Sequence, residues 1–430
     1  MATRALLLLM WAGCAALPGK APGGDSGGPP LSEAEIAARI ATLGPLPPLP
    51  ADPTNVLADV PAAAQLGQAL FFDPILSGSG SFSCATCHDP RVGFGDRRPL
   101  SEAAGTTRRH SPSLWNVGHQ RWLLWDGRCD SLWCQAAQPI EAPDEMDGDR
   151  VAVVRALLAH PVHGPALAAL AGELPDLSDP ARFPAHARPM PATPEHPDHL
   201  AWLAMAPEDQ DAVTAVFVVA LKAIAAYERR LVTGPTRVDA YVAARAAGDD
   251  AGGGHLSPAE EAGLVRFVGE GGCIDCHAGP LFTHREFQAI GLGTRPWLPA
   301  DDHGRYDGIP LLQADPFNAA SVWSDAPAGD AAARIGRLLR TAEQDGQFRV
   351  PGLRNVADSP PYMHGGHFET LTEAVQHYNR LEESPAGGHV EPFLQPLGWD
   401  DDAVAEVVAF LEALSAPPPD DALLRPPPAQ

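Results

Sequence analysis

Basic residues are scarce in this chain: 30 Lys and Arg stand against 54 Asp and Glu, a formal charge of −24 over 430 residues. A surface of that sign repels phosphodiester backbones and anionic headgroups, which argues against nucleic acid and acidic membranes as electrostatic partners. It suits a cationic electron-transfer partner, and it equally serves to keep an exported protein soluble. Long apolar runs are missing after the first residues. The most apolar stretch, Ala212 to Leu221, is too short to span a bilayer and runs into Lys222 and then Glu228-Arg229-Arg230, so it reads as a buried helix. Strand-like alternation is missing too, which argues against a sheet-based core. Cysteines are few: of seven, four fall in two Cys-x-x-Cys pairs, Cys129 and Cys134 lie close together, and Cys14 is alone.

What is present begins with an export signal. Arg4 precedes the apolar run Ala5 to Ala12, and the small residues Gly13 to Ala16 suit cleavage, so residues 1–16 read as a signal peptide and the mature protein as periplasmic. Trp11-Ala12-Gly13-Cys14 has the form of a lipobox, with Trp where Leu is usual. Lipid attachment at Cys14 would make a lipoprotein anchored at the outer membrane, whereas ordinary cleavage would discard that cysteine. Residues 17–52 read as a Pro/Gly-rich tether interrupted by a short helix from Ser32 to Ile40, where Ser32 and Glu35 have capping-box spacing. Elsewhere the periodicity is helical: Val213, Val216, Phe217, Ala220, Ile224 and Tyr227 share one face, and Val404, Val407, Val408, Leu411 and Leu414 share another. The 46 Pro and 41 Gly imply long irregular connections. One of these, Glu173 to His199, reads as an inserted loop. A boundary near Thr233-Gly234-Pro235 divides the chain into halves, 53–235 and 236–416, followed by a loosely held Pro-rich tail, 417–430.

Each half carries one Cys-x-x-Cys-His motif: Cys84-Ala85-Thr86-Cys87-His88 and Cys273-Ile274-Asp275-Cys276-His277. In such a motif two thiols form thioethers with the vinyl groups of a haem, and the adjacent imidazole coordinates its iron. Two haem c groups are therefore expected. A single zinc site built from all four cysteines would need much closer pairs and no histidines. A thioredoxin-like redox pair would occur once, near a βαβ pattern that is not there. The expected fold is mainly α, with two haem domains of cytochrome c type joined by long irregular loops.

Around these motifs the sequence resembles the bacterial dihaem cytochrome c peroxidase/MauG superfamily. The resemblance rests on Leu66 to Pro74 leading into Ser83 to Pro90, on Trp125-Asp126-Gly127-Arg128, Gln135-Ala136 and Glu145-Met146, on Cys276 to Thr283, and on Leu353-Arg354-Asn355-Val356 with Pro361-Tyr362-Met363-His364-Gly365-Gly366. It implies that His88 is the iron ligand of a peroxidatic haem and His277 that of an electron-transfer haem, with Trp125 between them. Gln135 and Glu145 fall at distal-pocket positions. Splitting peroxide requires moving a proton from its inner to its outer oxygen, work a carboxylate such as Glu145 can do, while Gln135 can only orient. For the far ligand of the second haem, where the family uses Met or Tyr, the sequence offers Tyr378. Thr370 and Glu373 predict a helix from Leu371 that puts Leu371, Val375 and Tyr378 on one face and His377 off it, with Met363 a weaker rival.

Two departures stand out. The stretch Leu100 to Thr107, where related peroxidases carry a histidine that blocks the peroxidatic iron, has none. His110 replaces an Asn that helps bind calcium between the domains, and imidazole is a poor substitute for an oxygen ligand of a hard cation; packing or surface use is the default for it. Cys129 and Cys134 suit a disulfide if Cys129 precedes the first helical turn. The resemblance implies reduction of hydrogen peroxide with electrons from a small donor such as a cytochrome c or cupredoxin. MauG-like oxidation of a protein or organic substrate, and a non-enzymatic dihaem electron carrier, are the alternatives.

Overall fold

The computed structural model describes residues 31–418 and 420–428; the signal peptide and Cys14 lie outside them. The described residues are mainly helical, with a single two-stranded ladder pairing Phe287–Gln288 with Phe348–Arg349.

Each half is built on one helix crossing. In the first, helix Pro61–Phe72 packs on helix Pro207–Glu228, both opening with Pro, which gives up an N–H that would have no helical partner. Gly67 sits at the crossing, where a Cβ would overlap the carbonyl oxygen of Ala223. One turn on, the rings of Phe71 and Tyr227 meet at 5.1 Å. In the second half, helix Pro258–Val268, started by a Ser257/Glu260 capping box, packs on helix Asp401–Glu412. Gly263 meets the Glu406 carbonyl oxygen in the same way, and Phe267 and Phe410 lie 5.0 Å apart. The correspondence extends further. Asn116 and Asn355, both left-handed, a conformation Asn tolerates, direct their N–H groups to the carbonyls of Leu231 and Leu414 at 2.7 and 3.0 Å. The two halves are one unit used twice.

Helix Pro207–Glu228 is longer than its apolar stretch suggested and is apolar enough to cross a membrane, yet most of it is buried among Phe71, Trp133 and Phe317. It is a core helix. The inserted stretch is not idle either, since Leu177, Phe183 and Ala187 are buried in the first core.

Both ends of the chain differ from their expectation. Residues 17–52 read as a tether, but helix Glu33–Ala41 buries Ile40, followed by Leu43, in the core of the second half, and Arg39 donates to Val268 O at 2.8 Å. The tail read as loosely held, but Leu423 is buried in the first core, its carbonyl accepts from the Tyr227 hydroxyl at 2.6 Å, and Gln68 donates to the carbonyls of Ala422 and Arg425. Each end therefore straps the half farther from it in sequence. Composition misled here because one or two buried side chains suffice to dock a Pro-rich segment.

A buried ionic knot joins the halves. Arg109 donates to both carboxylate oxygens of Asp302 at 2.8 and 2.7 Å and to Asp126 at 2.6 Å, while Arg128 donates to the same Asp126 oxygen at 2.9 Å. The Arg128 and Arg109 guanidiniums hold the Asp126 carboxyl down at about 2 despite its burial. Arg305, sandwiched with Trp122 and Phe287, donates to the carbonyls of Asp126 and Gly127.

These contacts set two expected outcomes for stability. Gly67→Ala and Gly263→Ala should each lose at least about 2 kcal/mol in denaturant unfolding through overpacking, whereas Gly44→Ala, with only Val242 Cγ1 nearby at 3.8 Å, should be near neutral. Arg109→Met leaves Asp302 without its bidentate partner and should lose about 3 kcal/mol at neutral pH. Because the folded pKa of Asp126 is depressed, its contribution is present above the ordinary carboxylate range and is lost as pH falls towards about 2; unfolding curves of the variant should show a weaker loss across that window.

Candidate haem pockets and the residues between them

The first motif is the short helix Cys84–Cys87, capped by Ser83. Its turn closes with His88 N–H on Cys84 O at 2.9 Å, and the His88 Nδ1 proton goes to Phe94 O at 3.0 Å. The second motif is a 3-10 turn, Cys273–Asp275, entered through left-handed Gly272. It repeats the same two bonds, His277 N–H to Cys273 O at 2.8 Å and His277 Nδ1 to Phe282 O at 2.9 Å. Spending the Nδ1 proton on a carbonyl fixes the tautomer and leaves the Nε2 lone pair for a metal. Burial lowers both imidazoles, His277 to about 4, so both are neutral, the ligating form. The four cysteines are unpaired and partly buried, and burial pushes Cys87 and Cys276 up to about 11 and Cys273 to about 12. They are thiols, not thiolates, and the two pairs pack against separate cores. Free thiols followed by an imidazole with one nitrogen unengaged fit haem in each half, and a zinc centre shared between the pairs does not fit.

Beside the first motif stands Glu145. Its backbone is pinned by Glu145 N–H to Ala142 O and by Ala104 N–H to Glu145 O. Burial raises its carboxyl, Arg128 opposes the rise, and its charge bears on both Cys84 and Cys87. Gln135 lies in the second turn of helix Leu132–Glu141, which is capped by Ser131; its half-buried amide bonds to no other described side chain. Cys129 and Cys134 form a buried disulfide across 5.7 Å between Cα atoms, with Cys129 ahead of the first turn as that spacing requires. Asp315 lies against it, and burial lifts its carboxyl to about 6.

Trp125 is buried where the halves meet. Its indole N–H donates to His110 O at 2.7 Å, its carbonyl accepts from Arg349 N–H of the ladder, and the Arg349 guanidinium lies 6.0 Å from its ring. His110 is not at the surface. Its Nδ1 is engaged with Arg98 O at 2.8 Å, its N–H donates to His364 O, and burial lowers its pKa. This position offers calcium no oxygen side chain, and an imidazole is a poor ligand for a hard cation.

In the second half, helix Leu371–Arg380 begins at Thr370 with the expected capping box. Leu371 and Val375 join the core, and Tyr378 shares their face. Burial raises the Tyr378 phenol, and its next two influences are the sulfurs of Cys276 and Cys273, so the ring sits beside the second motif. His377 is spent elsewhere, its Nε2 on Ile290 O at 2.8 Å. Met363 lies in a left-handed turn closed by Gly366.

Sequence reasoning passed over three features. Arg109 and Asp302 are far apart in the chain, and nothing local marks them as partners. His364 was read only as part of a motif, yet it is half-buried, stacked on Phe348 at 3.5 Å and edge-on to Trp125 at 6.5 Å. Glu228, one of 54 acidic residues, is wholly buried. It ends an apolar helix and is followed by Arg229-Arg230, so its sequence reads as a solvated helix end.

Residues 61–247 match the family profile of di-haem cytochrome c peroxidases. The chain is 31% identical over 89% of its length to a cytochrome-c peroxidase of Denitromonas iodatirespirans, covering 88% of that protein. It is 30% identical over 90% of its length to the methylamine utilization protein MauG of Methylorubrum extorquens, covering 87% of it. The fold superposes on the diheme peroxidase BthA of Burkholderia thailandensis with a TM-score of 0.60, at 26% identity, over 85% of this chain and 89% of that one. With two matched His-thiol sites on a duplicated helical frame, the chain belongs to the dihaem cytochrome c peroxidase/MauG family of haem-binding, peroxidase-like oxidoreductases.

Proposed function

We propose that the protein reduces hydrogen peroxide to two waters in the first pocket, drawing electrons from a small periplasmic donor, a cytochrome c or cupredoxin, through the second. The observation that carries this is Glu145: a half-buried carboxyl beside the first motif, with an arginine near enough to moderate its pKa. When bound, the two haems supply the redox chemistry, each held by its cysteine pair through thioethers and by His88 or His277. Glu145 takes the proton from the inner peroxide oxygen and returns it to the outer one, so that water and not hydroxide leaves. Burial, by raising its carboxyl, brings the proton affinity nearer the working pH, while Arg128 keeps the group able to ionise. Gln135 orients the small substrate by hydrogen bonding. No histidine lies in Leu100 to Thr107 to close the first iron. Trp125, held by His110 and Arg349, sits on the short route between the halves. The acidic surface suits a cationic donor. The export signal at residues 1–16 supports a periplasmic location, with Cys14 as the lipid attachment point.

Tyr378 favours a second reading, MauG-like oxidation of a protein or organic substrate. If Tyr378 held a second haem as a phenolate, it would add negative charge and favour higher oxidation states, where a thioether would raise the potential.

Glu145→Gln should load both haems and slow the reaction with peroxide at least about 10²-fold in stopped-flow spectra; an unchanged rate removes Glu145 from the chemistry. In the same instrument, reaction of the fully oxidised protein supports the MauG-like reading, and reaction only after partial reduction supports peroxide removal. Tyr378→Phe should change the absorption and electron paramagnetic resonance of the second centre and leave those of the first intact.

A further inference from the structure

The duplication sets a residue-by-residue comparison between the pockets. Gly67 meets the Ala223 carbonyl and Gly263 meets that of Glu406; Tyr227 packs on Phe71 as Phe410 packs on Phe267; Leu231 and Leu414 receive the two asparagine N–H groups. In that register Glu228 stands where the second half has Leu411. Leu411 is an ordinary member of its apolar core. Glu228 is as buried, at 4% exposure, and its Oε2 has no hydrogen-bond partner.

An apolar position has thus been given a carboxyl, and a charged carboxylate without a partner is strongly disfavoured there. The titratable groups around it do not relieve this. Tyr227 is bonded to Leu423 O, and Arg230 acts on Tyr227. Arg229 turns its guanidinium to Pro50 O and Asp59. Across from the helix, Cys84 feels the charge of Glu228 more strongly than that of Glu145, which places Glu228 close to the first attachment thiol. Burial alone lifts the Glu228 carboxyl to about 8, into the range where a change of charge beside it changes how much proton it holds.

We propose that Glu228 is a proton store of the first haem pocket, taking up one proton when that centre gains one electron and giving it back on reoxidation. The inference rests on the reading that Cys84, Cys87 and His88 hold a haem. The electron comes from the donor, the proton from solvent, and the net charge of the buried pocket is unchanged by reduction. An extra electron nearby raises the proton affinity of Glu228, and its loss lowers it. Between the two affinities, reduction binds a proton, so the potential of the first centre falls as pH rises. The second pocket, with Leu411, has no such group at this position. Glu228 acts on the reaction by supplying a proton inside the pocket without a change in buried charge.

The test is a spectroelectrochemical titration of the haem-loaded protein without peroxide, from about pH 6 to about pH 9, the range around the proton affinity of Glu228. The first centre should lose up to about 59 mV per pH unit, the one-electron equivalent of a tenfold change in proton concentration, and Glu228→Gln should flatten that slope while leaving the second centre unaltered. Glu228→Leu, which copies the second half, should do the same and serves if the Gln variant fails to load. In the unmodified protein, redox-difference infrared spectra should show a carboxylic acid C=O band that grows on reduction of the first centre and shifts in heavy water. A slope that persists in both variants, no slope in the unmodified protein, or no carboxylic acid band overturns the proposal. Failure here with peroxide turnover intact leaves the proposed activity standing. A Glu228-dependent slope in a protein inert to peroxide would do the reverse.

Discussion

Two helices can approach until their backbones touch only where one lacks a side chain, and this constraint is met twice here, at Gly67 against Ala223 and at Gly263 against Glu406. That contact sets the course of each half beyond it. One helical turn past the glycine an aromatic ring is brought against the partner helix, and a short way further the chain enters its Cys-x-x-Cys-His turn. The imidazole orientation is then decided locally, by a carbonyl a few residues on, Phe94 O in one half and Phe282 O in the other. A cofactor site with two covalent anchors and one metal ligand needs little more from the fold than this fixed starting point.

The halves differ in what surrounds that common frame. Around the first motif the protein gathers ionisable groups, Glu145, Glu228 and, beside Glu145, Arg128. Around the second it places apolar residues and Tyr378. The former set can hold and move protons; the latter, Tyr378 apart, cannot. Between them lie Trp125 and the Arg109 ion pairs, which clamp the junction. The charge that balances Asp126 and Asp302 at this junction comes from Arg109 and Arg128, whose guanidinium groups stay ionised at any working pH.

Much of the chemistry was legible because it is written in contiguous residues. Cys-x-x-Cys-His specifies its own turn, Thr370 and Glu373 specify the start of their helix, and from that start the side of Tyr378 and the opposite side of His377 follow by rotation. The core helix was visible as a stripe, though its length was underestimated because polar residues at its ends, Glu208 and Asp209, extend it through favourable placement at the N-terminus. Features that depend on distance in sequence were not legible. The duplication is carried by a bare Gly-x-x-x-Phe in each half. The Arg109–Asp302 pair unites two loops. Both terminal straps rest on one or two buried aliphatic side chains, Ile40 and Leu43 at one end and Leu423 at the other, in segments whose composition says linker.

Those straps bear on how the molecule is made. The first half finishes its core with Leu423 and the carbonyl that receives the Tyr227 hydroxyl, so a chain made from its N-terminus holds this half incomplete until Leu423 has emerged. Conversely Ile40 and Leu43 are made early and wait for helices Arg237–Ala246 and Pro258–Val268. Neither half reaches its final packing ahead of the other. A chain that stops before Leu423 therefore leaves the first core unfinished, although its Cys-x-x-Cys-His motif was made long before.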